Sequence, residues 1–179
     1  MTKTPTARNI MNYHNIVHDD MLNGDGIRVV LFVSGCSLHC KNCQNPQTWD
    51  KDSGIPFDEN AKQEIFDELK KDYIAGITLT GGHPLEHYNL DEVTNLCKEI
   101  KAKFPDKTIW LYTGFVYENL LELYKQNKLP IFDYIDVLVD GPYVESLRDI
   151  SLKWRGSSNQ RVIDLKESLR QNKVILHCD

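Results

Sequence analysis

The chain has 179 residues, 41% of them hydrophobic and 26% charged, the profile of one globular domain with its own core rather than a disordered tail. Its 26 acidic and 21 basic residues leave a net charge of −5, which argues against a broad basic surface for nucleic acid. The apolar runs are too short to span a bilayer and the N-terminus has no apolar signal stretch, so a cytoplasmic single domain over residues 1–179 is expected.

Taken in chain order, residues 1–9 are polar and read as flexible. Residues 27–33 (IRVVLFV) are apolar and β-branched and end at Ser34-Gly35, the pattern of a buried strand. Residues 52–56 are a turn-rich connector. Asp58 is placed to cap a helix reaching to about residue 72, with Ile65, Phe66 and Leu69 on its apolar stripe. Residues 77–80 read as a strand ending in Gly81-Gly82. Residues 90–104 read as a helix stopped by Pro105, with Cys97 on its buried stripe beside Val93, Leu96 and Ile100. A strand over 108–112 ends in Thr113-Gly114, a helix covers 117–127, and a strand over 135–139 ends in Asp140-Gly141. A last helix is predicted over 161–171, capped by Asn159, with a short final strand over 174–177.

This alternation predicts an α/β fold with a parallel sheet and right-handed crossovers. Four or five βα units suit a partial, open parallel β/α barrel better than a closed eight-stranded one. Cys36, Gly81-Gly82, Thr113-Gly114 and Asp140-Gly141 each follow the C-terminal end of a predicted strand. That rim is where parallel α/β folds gather their active sites.

Three of the five cysteines, Cys36, Cys40 and Cys43, fall in one short stretch with the spacing C-x3-C-x2-C. Clustered thiols in a reducing compartment bind metal or do redox chemistry more often than they form disulfides. Three thiolates on one loop can wrap one face of an iron–sulfur cube and leave a fourth iron open. The rival is zinc, completed by His39 or His177, but no second ligand pair of the usual structural-zinc spacing is present. Cys97 reads as core, and Cys178 as a thiol on a frayed end.

C-x3-C-x2-C after one strand with Gly-Gly-x-Pro after the next resembles the radical S-adenosylmethionine (SAM) superfamily. Within it the chain is similar to the anaerobic ribonucleoside-triphosphate reductase activating proteins. The matching stretches are residues 23–28, 31–36, 43–49, 79–85, 110–114, 137–141 and 154–160, the last (WRGSSNQ) being the most specific to the subfamily. The resemblance implies a partial barrel of the radical SAM type. It implies a 4Fe-4S cluster held by Cys36, Cys40 and Cys43, with SAM chelated by the fourth iron. Reductive cleavage of SAM would give a 5′-deoxyadenosyl radical that takes hydrogen from a glycine in the glycyl radical domain of the large reductase subunit. A reductant such as flavodoxin would supply the electron. Neither nucleic acid nor membrane is an implied partner. No acid–base residue is needed beyond the cluster and SAM, and the cofactors carry the hard chemistry.

The residues implied to border SAM are Asn42, Cys43, Gln44, Gly81, Gly82, His83, Thr113 and Asp140. For Thr113 and Asp140, strand-end capping is the competing role. The Trp154-to-Gln160 loop reads as a SAM wall, a reductase-docking loop or a helix cap. Arg28 reads as half of a structural ion pair, and Trp49 as packing under the cysteine loop. Two positions depart from the family pattern. Asn42 stands where the superfamily often has an aromatic or apolar residue. His83 stands where the family has an acid, which implies SAM binding that weakens below about pH 6.5. The other functions weighed are an activase of pyruvate formate-lyase type, a small-molecule radical SAM enzyme acting for example on a deazapurine precursor, and a zinc-stabilised binding module without catalysis.

Overall fold

A computed structural model describes residues 10–178, so the flexible segment expected at 1–9 lies outside the described residues. The centre is four strands: β2 (Ile27–Val33), β4 (Ile74–Gly81), β5 (Thr108–Tyr112) and β6 (Val137–Asp140). Their apolar, β-branched sequences are buried along most of their length, and each runs parallel to the next. The connections carry α1 (Glu59–Leu69), α2 (Leu90–Lys103) and α3 (Tyr117–Lys125). Asp58 caps α1 as predicted, its carboxylate accepting from the amides of Asn60 and Ala61. Ile65 and Leu69 of α1 and Val93, Leu96, Cys97 and Ile100 of α2 pack with Val29, Leu31, Ile77 and Leu79 in one core.

The sheet is mixed, not parallel throughout. Upstream, β1 (Asn12–Asp20) runs antiparallel to β2, and the two-residue β3 (Ile55–Pro56) pairs with its outer edge. The polar string NYHNIVHDD has no apolar run to announce a strand; only Tyr13, Ile16 and, just before it, Met11 are buried. Downstream, residues 161–164 do not open a helix. They form β7 (Arg161–Asp164), antiparallel to β6. Val162 and Ile163 are both fully buried, and an adjacent β-branched pair suits a strand covered on both sides. The helix that follows, α4 (Leu165–Gln171), is capped by Asp164, which accepts from the Glu167 amide. Asn159, the predicted cap, instead donates to the Pro142 carbonyl. β8 (Leu176–Cys178) pairs antiparallel with β7 and completes eight strands in the order β3-β1-β2-β4-β5-β6-β7-β8. Cys178 therefore lies in a strand, packed against the cluster of Trp110, Val137, Val139 and Val162, and not on a frayed end.

Arg28 corrects a further expectation, that of a structural ion pair. It is fully buried and has no carboxylate partner among the described residues. It donates to Thr78 Oγ1 at 2.9 Å, Thr108 Oγ1 at 2.9 Å and the carbonyls of Asp25, Ile77 and Thr108 at 3.0, 2.8 and 3.0 Å. The Trp110 ring lies 5.4 Å away. Burial pushes its pKa down to about 10. The residue laces β2, β4 and β5 together through neutral acceptors. No helix among the described residues is long and apolar enough to cross a membrane.

Candidate active site

The chain leaves β2 into the loop that carries Cys36, Cys40 and Cys43. Backbone bonds fix it: Gly35 N to Thr48 O at 2.7 Å, Cys36 N to Trp49 O at 3.0 Å and Cys43 N to Cys40 O at 3.0 Å. His39 and Asn42 adopt left-handed φ values of 44° and 57°, which turn the chain tightly between the thiols. The His39 ring stacks on Trp49 at 4.5 Å, so Trp49 packs against the loop as expected. The three thiols are half-buried and line one cavity of about 460 Å³. Burial pushes the Cys36 thiol up, and the amides of Leu38 and His39 oppose this by hydrogen bonding to it. The Asn45 amide donates to Cys43 Sγ at 3.4 Å. Amide donors of this kind stabilise thiolate over thiol and tune iron–sulfur clusters.

The next loop meets the first almost backbone to backbone. Gly82 N donates to Val33 O at 2.8 Å, and His83 N to Gly35 O at 2.7 Å. A Cβ on Gly82 would sit 2.5 Å from the Gly35 carbonyl oxygen, and Gly81 has φ +98°. The glycine pair is therefore required first by the approach of the cysteine loop. Both glycines also line the cavity. Asn89, at the start of α2, ties the junction, its side-chain amide donating to Ser34 O and His83 O at 2.8 and 3.2 Å.

His83 lines the cavity and is almost completely buried. Its Nε2 lies 2.7 Å from Thr113 Oγ1, its Nδ1 3.5 Å from Glu86 Oε1, and the Phe115 ring meets it edge-on at 4.3 Å. Burial lowers its pKa, and the nearby Glu86 carboxylate only partly opposes that. Glu86 also accepts from the amide and hydroxyl of Ser37 at 2.8 and 2.6 Å, fastening the loop beside Cys36. Glu86, three residues after His83, does not itself line the cavity.

The far wall is the long loop after β6. Tyr112 donates from its hydroxyl to Trp154 O at 2.6 Å. The Gln160 side chain accepts from Gly156 N and Ser157 N at 2.9 and 3.1 Å and donates to Gly141 O at 3.1 Å. Trp154, Arg155, Gly156 and Gln160 all line the cavity, so WRGSSNQ is a wall of the site and caps no helix. Trp49 Nε1 and Arg155 Nε are buried without a hydrogen-bond partner.

The structure thus gathers Cys36, Cys40, Cys43, Gln44, Gly81, Gly82, His83 and Thr113 around one cavity. Asn42 and Asp140 are not on its wall. Asn42 is exposed at the turn of the cysteine loop. Asp140 is buried, accepts from the Tyr117 amide at 2.8 Å at the start of α3 and pairs with Arg161. Leu38 of the cysteine loop, Tyr112 at the end of β5 and Tyr143 after β6 also line the cavity; none stands at a spacing that would mark it. Of the two zinc candidates, His39 stacks on Trp49 and His177 pairs with Asp25. Among the described residues, no three His, Cys, Asp or Glu side chains are arranged to hold a single metal ion.

Residues 22–163 match the family model described as a 4Fe-4S single cluster domain. An anaerobic ribonucleoside-triphosphate reductase-activating protein of Enterobacteria phage T4 is 45% identical over 152 residues, spanning 85% of this chain and 93% of the relative. Its namesake in Escherichia coli K12 is 42% identical over 158 residues, covering 87% of this chain and all of the relative. That of Haemophilus influenzae is 42% identical over 152 residues, covering 84% and 96%. With a cysteine loop and a glycine loop on one cavity and identity at this level along nearly the whole of each relative, the chain belongs to the 4Fe-4S single-cluster family of anaerobic ribonucleoside-triphosphate reductase-activating proteins.

Proposed function

We propose that this chain activates an anaerobic ribonucleoside-triphosphate reductase, with Cys36, Cys40 and Cys43 ligating one 4Fe-4S cluster whose fourth iron takes SAM. The observation that carries the reading is that three thiols of one loop share a cavity with Gly81, Gly82, His83 and Thr113. The donor set fits the cluster: amides already point at the Cys36 and Cys43 sulfurs. Thiols that do not converge on a single point suit separate corners of a cube better than one tetrahedral zinc ion. Two orphaned donors, Trp49 Nε1 and Arg155 Nε, fit a polar organic ligand in the remaining space.

Cys36, Cys40 and Cys43 would hold the cluster, which would supply the electron for reductive cleavage of SAM, the chemistry that activates a glycine of the reductase. The protein's own residues position and shield. Gly81 and Gly82 let the ligand and the cysteine loop approach the same backbone. Gln44, beside the third thiol, and Thr113 offer polar groups to the nucleoside and methionyl parts. His83, kept neutral by burial, adds no positive charge near the SAM ammonium. Phe32, Leu38 and Leu152 exclude water. In this reading the parallel centre β2-β4-β5-β6 is the partial barrel of the radical SAM type, a flavodoxin-like reductant delivers the electron, and the reaction takes place in the cytoplasm.

The test is to incubate the cluster-loaded protein anaerobically with the large reductase subunit of the same source, SAM and a reductant. A glycyl radical EPR signal on the reductase is expected, and it should vanish with Cys36→Ala, Cys40→Ala or Cys43→Ala. Cluster-loaded protein that leaves the reductase silent but radicalises a pyruvate formate-lyase would overturn the reading in favour of another activase.

A further inference from the structure

We infer that Arg155 holds the carboxylate of SAM, an inference that rests on SAM being the ligand of this cavity. Among the described residues lining the cavity, Arg155 is the only side chain with a permanent charge at neutral pH. The other wall residues are apolar, amide, hydroxyl, phenol, thiol or imidazole. SAM carries one anionic group and two cationic ones, so a lone guanidinium discriminates among them by sign.

The state of that guanidinium points the same way. Arg161 is paired with Asp140 and Glu118, Arg170 with Glu167, and Arg28 is saturated by five acceptors. Arg155 has no carboxylate partner among the described residues. Its Nη1 makes one long bond, 3.3 Å to Gln160 O, and its Nε is buried with no partner at all. A buried unmatched donor is costly, and a carboxylate accepting from the guanidinium fork removes that cost.

The backbone around it is already fixed. Trp154 on one side packs edge-on to Trp110 at 5.1 Å and accepts from Tyr112; Gly156 on the other is bonded to Gln160. The loop also reaches the thiol side of the cavity: a Cβ on Gly156 would lie 3.4 Å from Gln44 Nε2. Arg155 is thus a preorganised cation set beside the cysteine loop.

The test measures binding without turnover. Oxidised, cluster-loaded protein is dialysed to equilibrium against SAM or against decarboxylated SAM, which lacks only the anionic group. Arg155→Gln is expected to weaken SAM about tenfold or more, the worth of one charge-assisted contact, and to change decarboxylated SAM less than about twofold. Arg155→Lys, which keeps the charge but not the fork, should fall between. Unchanged SAM affinity in Arg155→Gln would overturn the inference, as would equal losses for both ligands, which would mark a merely structural role. Iron content equal to wild type shows that the variants have folded. Wild-type protein that binds no SAM would instead sink the cofactor assignment on which the inference rests.

Discussion

His83 is an almost fully buried histidine on the wall of the cavity. The motif places it after the glycine pair, at the rim. The structure adds its partners. Nε2 lies 2.7 Å from Thr113 Oγ1, which also accepts from the Phe115 amide at 3.1 Å, and Nδ1 lies 3.5 Å from Glu86 Oε1. Burial then lowers the histidine pKa, so the ring stays neutral to lower pH than the sequence alone suggested. The unfolded chain takes up this proton near pH ~6.5 while the folded chain resists it, so the neutral ring's contribution to stability is present above that pH and lost as pH falls below it. Melting temperature should therefore decline from pH 7 to 5, and less steeply in His83→Gln; identical slopes would contradict a buried neutral ring. Glu86 could not be read beforehand, because only the turn of chain between the two residues makes them neighbours. Arg28 is the same lesson in another form: the sequence shows a charge in a strand, and only pairing across β4 and β5 shows that carbonyls and hydroxyls satisfy it.

Among the elements, those with strong periodicity were legible: β2, β5, the stripe of α2 and the Asp58 cap all lie where the residues placed them. The misreadings are short or polar segments whose conformation is set by a neighbour. β1 exists because β2 offers it an edge, and β7 because β6 does. Asp140 belongs to this scale. It ends β6, accepts from the first amide of α3 and meets Arg161 of β7, joining three elements. Asp140→Asn should cost about 2 kcal/mol of unfolding free energy in denaturant titrations, the scale of a lost charged cap and a weakened ion pair, with SAM affinity unchanged. A tenfold loss of SAM affinity at full stability would place the carboxylate in the cavity instead.

For the whole molecule, the decisive arrangement is convergence on one rim. Loops after β2, β4, β5 and β6 meet at the C-terminal edge of the parallel centre, and the long loop before β7 closes the far side. Strand ends in the sequence located the first four loops. The Trp154-to-Gln160 loop, with Arg155, is legible as a wall only through the resemblance, and Tyr143 not at all, because this stretch returns to the cavity only when β7 pairs antiparallel with β6. Everything then depends on what the three thiols hold. The measurement that tests this most directly is an EPR spectrum of protein reconstituted anaerobically with iron and sulfide, reduced, and recorded with and without SAM. A reduced 4Fe-4S signal that shifts when SAM is added is the expected result, because a cluster held by three cysteines would leave one iron open to the cofactor. A colourless, EPR-silent protein holding one zinc ion would contradict it.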